Sequence, residues 1–341
     1  MKAKYIVPIV SVAMLLAACG SDAGGSSSGG SNKSSLPSYK WDMTITVGNT
    51  STWYTGAKYF ADTMDKKSDG RIKIKVFSNE QLSGGDQVAG VEQLMSGEKE
   101  FSYNSSIVYA GIDPKFGAVN APFLYKDYAQ ASKTLAATGF DAYKKLAATK
   151  GVELLGFGES GFRQITNNVH PITTVGDLKG IKLRIPGIGL FTDIYRSLGA
   201  NPTTMNFSEV FTALQQKTID GQENPLDVID SSGITEVQKY MTIWNYVYDP
   251  LIFGMNKKTF DSLDPADQKM VQETAAEANA LQIKTNRDKE SKQLESMSKK
   301  MKVTVLDDAQ RAVFQKQMSP IYEKYQSIWG ADMAKAVQPQ G

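Results

Sequence analysis

From Trp41 onwards, strand-like and helix-like patterns alternate, and this alternation restricts the fold more than any other feature of the chain. Residues 72–76 alternate apolar and charged side chains with a period of two, whereas residues 54–68 carry apolar side chains at helical spacing. The predicted elements of this first block are a strand at 43–47, a helix at 54–68, a strand at 72–76, a helix at 87–95 and a strand at 101–105. This β-α-β-α-β order predicts an α/β fold with a mostly parallel sheet, and an antiparallel α+β arrangement is the alternative.

A second block begins near Gly161, after a helical stretch at 128–150. Its predicted elements are a strand at 181–185, a helix at 189–198 and a helix at 208–216. A chain of 341 residues is too long for one small core and fits one large or two medium domains.

The longest predicted element starts at Asp264, a good N-cap that precedes Pro265 in the first helical turn. No proline or glycine then occurs until Pro320. A helix over 265–301 would be about 55 Å long at 1.5 Å per residue, so it could run across both blocks. The alternative is two shorter helices with a break near 284–288.

The first forty residues resemble an export and anchoring signal. Ile6 to Ala18 is an apolar run of thirteen residues after two lysines, which is too short to span a bilayer but suits a signal peptide at 1–18. The run ends in Leu-Ala-Ala before Cys19, as in a bacterial lipobox, which predicts lipidation of Cys19. Residues 19–40 would then form a Gly/Ser-rich tether. A plain secretory leader with a chance cysteine is the alternative.

Composition excludes several functional classes. Without residues 1–18, which hold two lysines and no acid, the 38 basic and 36 acidic side chains become 36 of each, so no overall charge attracts nucleic acid. One cysteine and one histidine, His170, leave no intramolecular disulfide and no multi-histidine or multi-cysteine metal site. Export also argues against ATP or nicotinamide cofactors. We therefore expect no metal, no cofactor and no enzymatic activity.

Residues 160–260 carry an ordered set of short elements with a family resemblance. The elements are Phe162-Arg163, Asp177-Leu178-Lys179-Gly180-Ile181-Lys182-Leu183-Arg184-Ile185-Pro186, Leu198-Gly199-Ala200-Asn201-Pro202, Phe207-Ser208-Glu209-Val210, Ala213-Leu214-Gln215-Gln216, Asp220-Gly221-Gln222-Glu223-Asn224-Pro225 and Glu236-Val237-Gln238-Lys239-Tyr240. Together they resemble the solute-binding subunit of a TRAP (tripartite ATP-independent periplasmic) transporter, DctP type. Several ordered elements over about a hundred residues are more specific than one short motif.

The resemblance implies a two-lobed, periplasmic-binding-protein-like α/β clamshell with a long helix that spans both domains. Domain I would comprise residues 41–160 and 250–289, and domain II residues 161–249 and 290–335. The expected ligand is a small organic acid, and the expected partners are the small and large TRAP membrane subunits.

The resemblance also implies that Arg184 holds the ligand carboxylate, with assistance from Arg163 and Asn224. Arginine suits this task because its planar fork donates to both carboxylate oxygens at once. Arg184 precedes Pro186 at the end of a predicted strand, and ligands of open α/β sheets sit at the carboxyl ends of strands. The alternatives are structural roles: Arg184 could form a salt bridge, Arg163 could brace the hinge and Asn224 could cap a turn.

The first block must supply the other half of a clamshell site. Its candidates follow predicted strands or carry aromatic rings: Asn49, Trp53, Glu80, Gln81, Asn104 and Phe123. Asn245 completes the set, although some family members have Asn-His where this chain has Asn245-Tyr246. Glu80 could accept hydroxyl groups and so favours a uronate or another sugar acid over a plain dicarboxylate. Core packing for Trp53 and Phe123, and a solvated loop for Glu80, are the alternatives.

The remaining rival is a binding lipoprotein that serves an ATP-driven importer or a sensor system. Such a protein would share the leader, the tether and the two lobes. The 160–260 elements favour the TRAP interpretation.

Overall fold

The computed structural model describes residues 36–339, so the signal peptide, Cys19 and most of the tether lie outside the described residues. The strands are β1 Tyr39–Thr44, β2 Ile72–Phe77, β3 Phe101–Ser105, β4 Val152–Asn167, β5 Lys182–Ile185, β6 Asn201–Thr204, β7 Gly221–Pro225, β8 Tyr240–Ile243, β9 Tyr248–Asn256 and β10 Lys302–Val305. The α-helices are α1 Thr52–Lys67, α2 Gln87–Ser96, α3 Ser106–Ala110, α4 Tyr128–Thr134, α5 Phe140–Ala148, α6 Gly189–Ser197, α7 Phe207–Gln215, α8 Leu226–Ser231, α9 Lys257–Asp261, α10 Pro265–Ser298, α11 Asp308–Trp329 and α12 Ala331–Ala336.

The strands form one continuous sheet in the order β2-β1-β3-β9-β4-β7-β5-β6, with β8 paired to β4 and β10 paired to β8. The outer pairs β1–β2, β1–β3, β5–β6 and β5–β7 are parallel, as the βα alternation predicts. The centre differs, because β9 and β4 run antiparallel to each other and to their neighbours. The expectation of a mostly parallel sheet is therefore confirmed at both ends and wrong in the middle.

Strand β4 joins two lobes. Its first part pairs with β9, and its last five residues, Arg163 to Asn167, pair with β7. Two bulges interrupt its pairing with β9, and the second falls at Gly161, whose φ of +113° disfavours any side chain. We call the β2-β1-β3-β9 side the first lobe and the β7-β5-β6 side the second lobe. The predicted domain boundaries, 160/161 and 249/250, fall inside β4 and β9 and stay predictions.

The predicted long helix is confirmed as α10, which is continuous across 284–288, so two separate helices are the wrong alternative. It contacts α1 of the first lobe, α8 of the second lobe and β4 between them. Buried polar side chains of α10 also bond to β4. Gln282 donates to the Glu159 carbonyl and accepts from the Glu159 N–H, both at 2.8 Å. A helix fixed to the linking strand in this way forms a common spine for both lobes.

The largest apolar cluster runs through both lobes, with Leu94 on the first-lobe side and Leu183 of β5 on the second, and two smaller clusters lie beside it. In the first lobe, Phe60 packs edge-on against Phe101 and Phe253, with ring centroids 5.2 and 4.8 Å apart. In the second lobe, buried Leu214 and Met241 belong to a separate cluster. Within residues 36–339, no helix is both long and apolar enough to cross a bilayer.

Candidate ligand-binding site

A narrow cavity lies between the lobes. The first lobe contributes Trp53, Gln87 and Ser105 to its wall, and the second contributes Arg184 and Asn224. Both lobes therefore offer polar groups to one space, as expected of a site for a small molecule.

Arg184 is a buried cation of this wall, with a side chain that is 2% exposed. Its Nε and Nη2 donate to the Met205 carbonyl at 3.2 and 2.8 Å, and its guanidinium lies 5.7 Å from the Phe207 ring. No carboxylate of residues 36–339 forms an ion pair with it. Burial lowers the pKa of Arg184, because the guanidinium is removed from water and forms no ion pair with a described carboxylate to stabilise its charge.

The backbone around Arg184 explains its position. Strand β5 lies between β6 and β7, with Arg184 opposite Thr203 and Gln222 in the two parallel ladders. The strand ends at Ile185, since Pro186 has no N–H to continue a ladder. Arg184 is thus held one residue before the carboxyl end of an inner strand, where ligands of α/β sheets bind.

Arg163 is also buried, but protein carboxylates neutralise it. Its Nε and Nη2 donate to both carboxylate oxygens of Glu223 at 2.6 and 2.8 Å, and its Nη1 donates to Asp249 at 2.7 Å. Its Nη2 also reaches the Asn224 Oδ1 at 3.0 Å. Burial disfavours its charge, but Glu223 and Asp249 more than offset this and raise the pKa of Arg163.

Asp249 is the acidic group of the cavity wall. Its oxygens accept from the Ser105 hydroxyl at 2.5 Å and from Arg163 at 2.7 Å. Burial raises the pKa of Asp249 to about 6, against the opposing effect of Arg163. The wall therefore holds a carboxylate whose charge changes near neutral pH.

The Trp53 ring also lines the cavity and is 3% exposed. Its indole Nε1 has no hydrogen-bond partner among the described residues. The indoles of Trp244 and Trp329 lack partners too, but neither residue is part of this wall. Trp53 is thus a wall residue whose indole N–H has no acceptor within residues 36–339.

Comparison with known proteins identifies the family. The model of "bacterial extracellular solute-binding protein, family 7", named DctP, matches residues 43–328. The chain belongs to the DctP family of solute-binding proteins. Members are binding proteins, so this chain is an extracytoplasmic binding protein and not an enzyme, as the sequence predicts.

Three relatives illustrate the DctP family. The 2,3-diketo-L-gulonate-binding periplasmic protein YiaO of Escherichia coli is 32% identical over 89% of this chain and 93% of its own. The sugar acid binding protein of Advenella mimigardefordensis, solved with galactonate, is 32% identical with a TM-score of 0.85, covering 89% of this chain and 97% of its own. A TRAP periplasmic solute binding protein of Sulfurospirillum deleyianum, solved with succinate, is 26% identical with a TM-score of 0.83, covering 89% and 99%.

Four of the residues that the DctP resemblance and the sequence suggest line the cavity: Arg184, Arg163, Asn224 and Trp53. The Asn224 amide is partly engaged, because its Nδ2 donates to the Gln222 Oε1 at 2.6 Å. The donors of Arg163 are taken by protein groups, as a brace would require, and its predicted assistance to the ligand stays a prediction.

Glu80 and Asn104 lie in a polar cluster of the first lobe that does not line the cavity. The Asn104 Nδ2 donates to the Glu80 Oε1 at 2.6 Å, and the Lys99 ammonium lies 3.6 Å from the other Glu80 oxygen. Desolvation raises the pKa of Glu80 and outweighs the opposing effect of Lys99. Glu80 is buried and paired, so neither the solvated loop acid nor a hydroxyl acceptor facing the cavity describes it.

The other four candidates also lie away from the cavity wall. Asn49 and Gln81 are exposed. Phe123 is half-buried against Trp244, and Asn245 accepts from the Gln164 Nε2 at 2.6 Å. The ligand-binding roles expected of these four residues stay predictions.

Sequence reasoning missed Gln87, Ser105 and Asp249 as wall residues. Gln87 is the first residue of α2, after its N-cap Asp86, and Ser105 is the last residue of β3. Both lie at predicted element boundaries, and this position could have indicated them as polar residues near a site. Asp249 lies inside β9, a strand whose nine residues are all buried and show no alternation.

The lobes contact each other on two sides of the cavity. On one side, the Phe207 N–H donates to the Gln87 Oε1 at 3.1 Å, and the Ser208 hydroxyl donates to the Gly85 carbonyl at 3.0 Å. On the other side, the Thr52 N–H and hydroxyl donate to one Asp227 oxygen at 2.8 and 2.9 Å. These contacts join the lobes in an arrangement in which Arg184 and Asp249 are buried.

Proposed function

We propose that this protein captures a small organic or sugar acid through Arg184 and delivers it to a TRAP transporter. Arg184 would donate to both oxygens of the ligand carboxylate, while Asn224 and Trp53 contact the rest of the ligand. Arg163 would hold its wall neighbours Asp249 and Asn224 in place through its hydrogen bonds. The small and large membrane subunits would receive the closed, loaded protein.

The observation that carries this proposal is that Arg184 is buried without a carboxylate partner among the described residues, whereas Arg163 pairs with two carboxylates. A buried cation without an anionic partner is costly, and a ligand carboxylate would remove that cost. A hydrogen bond to a charged group contributes about 1.5–3 kcal/mol, so two of them in a closed cavity support micromolar or tighter binding.

The relatives support an acidic ligand. They bind 2,3-diketo-L-gulonate, galactonate and succinate, all of which carry a carboxylate. The identity of the acid differs among them, which fits a shared carboxylate contact and a variable remainder of the site.

Closure of the two lobes is the proposed mechanism. Domain I would comprise 41–160 and 250–289, and domain II 161–249 and 290–335, with β4, β9 and α10 as the connections. A ligand that contacts both lobes stabilises the closed arrangement over an open one.

We also propose that the protein is a lipoprotein, anchored through Cys19 to a bacterial membrane and facing the periplasm or cell exterior. The support is the leader sequence that ends at the chain's single cysteine. Cys19→Ser should release the protein from membranes into the soluble extracytoplasmic fraction. Continued membrane retention of this variant would contradict lipidation.

The test of ligand capture is calorimetry with D-galactonate, D-erythronate and succinate on wild type and Arg184→Ala. We expect wild type to bind at least one acid with micromolar or better affinity, and Arg184→Ala to bind it at least about 100-fold more weakly. Arg196→Ala removes an exposed arginine of α6 and should change nothing. Unchanged affinity in Arg184→Ala would contradict the proposal.

A further inference from the structure

We infer that the cavity selects monocarboxylates that carry hydroxyl groups over dicarboxylates, with Asp249 and Trp53 as the specificity-determining residues. This inference rests on the proposed function, since it assumes that Arg184 holds one carboxylate of the ligand. The contact between Arg184 and a carboxylate is the same for all acids, so a preference for hydroxylated acids must come from other residues of the cavity wall.

The charge balance of the wall argues against a second ligand carboxylate. The wall contains two guanidinium groups, and Arg163 already pairs with Glu223 and Asp249. Among the described residues that line the cavity, Arg184 is the only cation left for a ligand. A second carboxylate would lie buried near Asp249 without a cation of its own, which is unfavourable.

The hydrogen-bonding groups of the wall suit a hydroxyl instead. Each Asp249 oxygen accepts one bond from the protein and keeps a second lone pair, so Asp249 can still accept. The Trp53 Nε1 is a donor only, and it has no partner among residues 36–339. A hydroxyl both donates and accepts, so hydroxyl groups can satisfy Asp249 and Trp53 together. A carboxylate can only accept.

Apolar groups also line the cavity, among them Val47, Ile107 and Val228. They would contact the carbon chain of any acid and favour no oxygen substituent. An unsubstituted acid is therefore the competitor that a test must include, beside the dicarboxylate.

The test compares acids of equal chain length by calorimetry. The four-carbon set is D-erythronate, succinate and butyrate, and the six-carbon set is D-galactonate, adipate and hexanoate. In the set that binds more tightly, we expect the hydroxylated acid to bind at least about tenfold more tightly than each of the other two.

Two variants assign the preference to residues. Asp249→Asn keeps the shape but removes the charge, so the ratio of hydroxy-acid to dicarboxylate affinity should fall about tenfold. Trp53→Phe removes the donor and keeps the ring face, so the hydroxylated acid should weaken about tenfold while the unsubstituted acid is unchanged. Trp329→Phe, at another buried indole without a partner, is the matched control and should not alter any affinity.

The outcomes separate this inference from the function on which it rests. Tighter binding of succinate or adipate than of the hydroxylated acid, or equal binding of butyrate or hexanoate, would overturn the selectivity. Unchanged ratios in both Asp249→Asn and Trp53→Phe would overturn the residue assignment. If no acid of either set bound wild type, the proposed function itself would fail.

Discussion

Arg163 and Arg184 are two buried arginines of one cavity wall, and their surroundings differ in one decisive respect. Both side chains are under 5% exposed. Arg163 donates to two protein carboxylates, whereas Arg184 donates only to the Met205 carbonyl among the described residues. The pKa of Arg163 is raised and that of Arg184 is lowered, in keeping with the two surroundings.

The difference shows that burial and residue type alone do not identify a ligand-binding arginine. An arginine that is paired with protein carboxylates stabilises the fold, because its charge and theirs compensate each other. An arginine without such a partner is energetically prepared for an anion from outside. The same wall thus contains one cation that the protein pairs, Arg163, and one that we propose to bind the ligand, Arg184.

The largest expected effect is on folding stability, in Arg163→Ala. Removing this guanidinium leaves Glu223 and Asp249 buried without a cation, so the free energy of unfolding should fall by about 3–5 kcal/mol. Urea denaturation of the ligand-free protein measures it. Arg184→Ala is the matched control and should leave that free energy unchanged or raise it. Equal losses in the two variants would remove the distinction between the two arginines.

A second expected effect is on the pH dependence of binding. The pKa of Asp249 is about 6, so Asp249 loses its proton as the pH rises through this value and then repels an anionic ligand. The affinity for an unsubstituted acid such as hexanoate, which has no hydroxyl group to donate to Asp249, should therefore fall by about tenfold between pH 5 and pH 8. Calorimetry across this range on wild type and Asp249→Asn checks it. A variant with the same pH dependence as wild type would show that another group is responsible.

The smallest expected effect concerns a buried carboxylate that bridges the lobes. Asp227 accepts from Thr52 of the first lobe and, through its other oxygen, from the Gln293 Nε2 at 3.0 Å. Asp227→Asn should weaken acid binding about three- to tenfold by lowering the population of the closed arrangement, although Asp227 does not line the cavity.

Asp230→Asn is the matched control for Asp227→Asn, since Asp230 is exposed on the same helix and also accepts from Gln293, at 3.3 Å. It should bind acids as wild type does. Calorimetry with D-galactonate compares the two variants. An equal loss in both, or no loss in Asp227→Asn, would argue that the bridge does not contribute to closure.

Much of the fold could be predicted from local patterns. The strand Phe101–Ser105 and the helix Pro265–Ser298 lie close to their predicted bounds, because periodicity, an N-cap and the absence of proline and glycine act locally. Strands β4 and β9 were not predicted. Both are buried almost throughout, so they show no alternation, and β4 carries three glycines that resemble turn signals.

For the candidate site, the sequence predicts which residues contribute but not which partners they have. The family motifs indicate Arg184, Arg163 and Asn224, and all three line the cavity. Their charge states depend on partners far away in sequence, since Asp249 lies 86 residues after Arg163. Likewise, the sequence does not reveal that folding brings Glu80 and Lys99 together in the first lobe.

A crystal structure of the complex with a tightly bound acid, such as D-galactonate, tests the role of Arg184 most directly. We expect the ligand carboxylate within about 2.7–2.9 Å of the Arg184 nitrogens, with Arg163 still paired to Glu223 and Asp249. A carboxylate bound to Arg163 or elsewhere in the cavity, with Arg184 in contact with protein groups alone, would contradict the account.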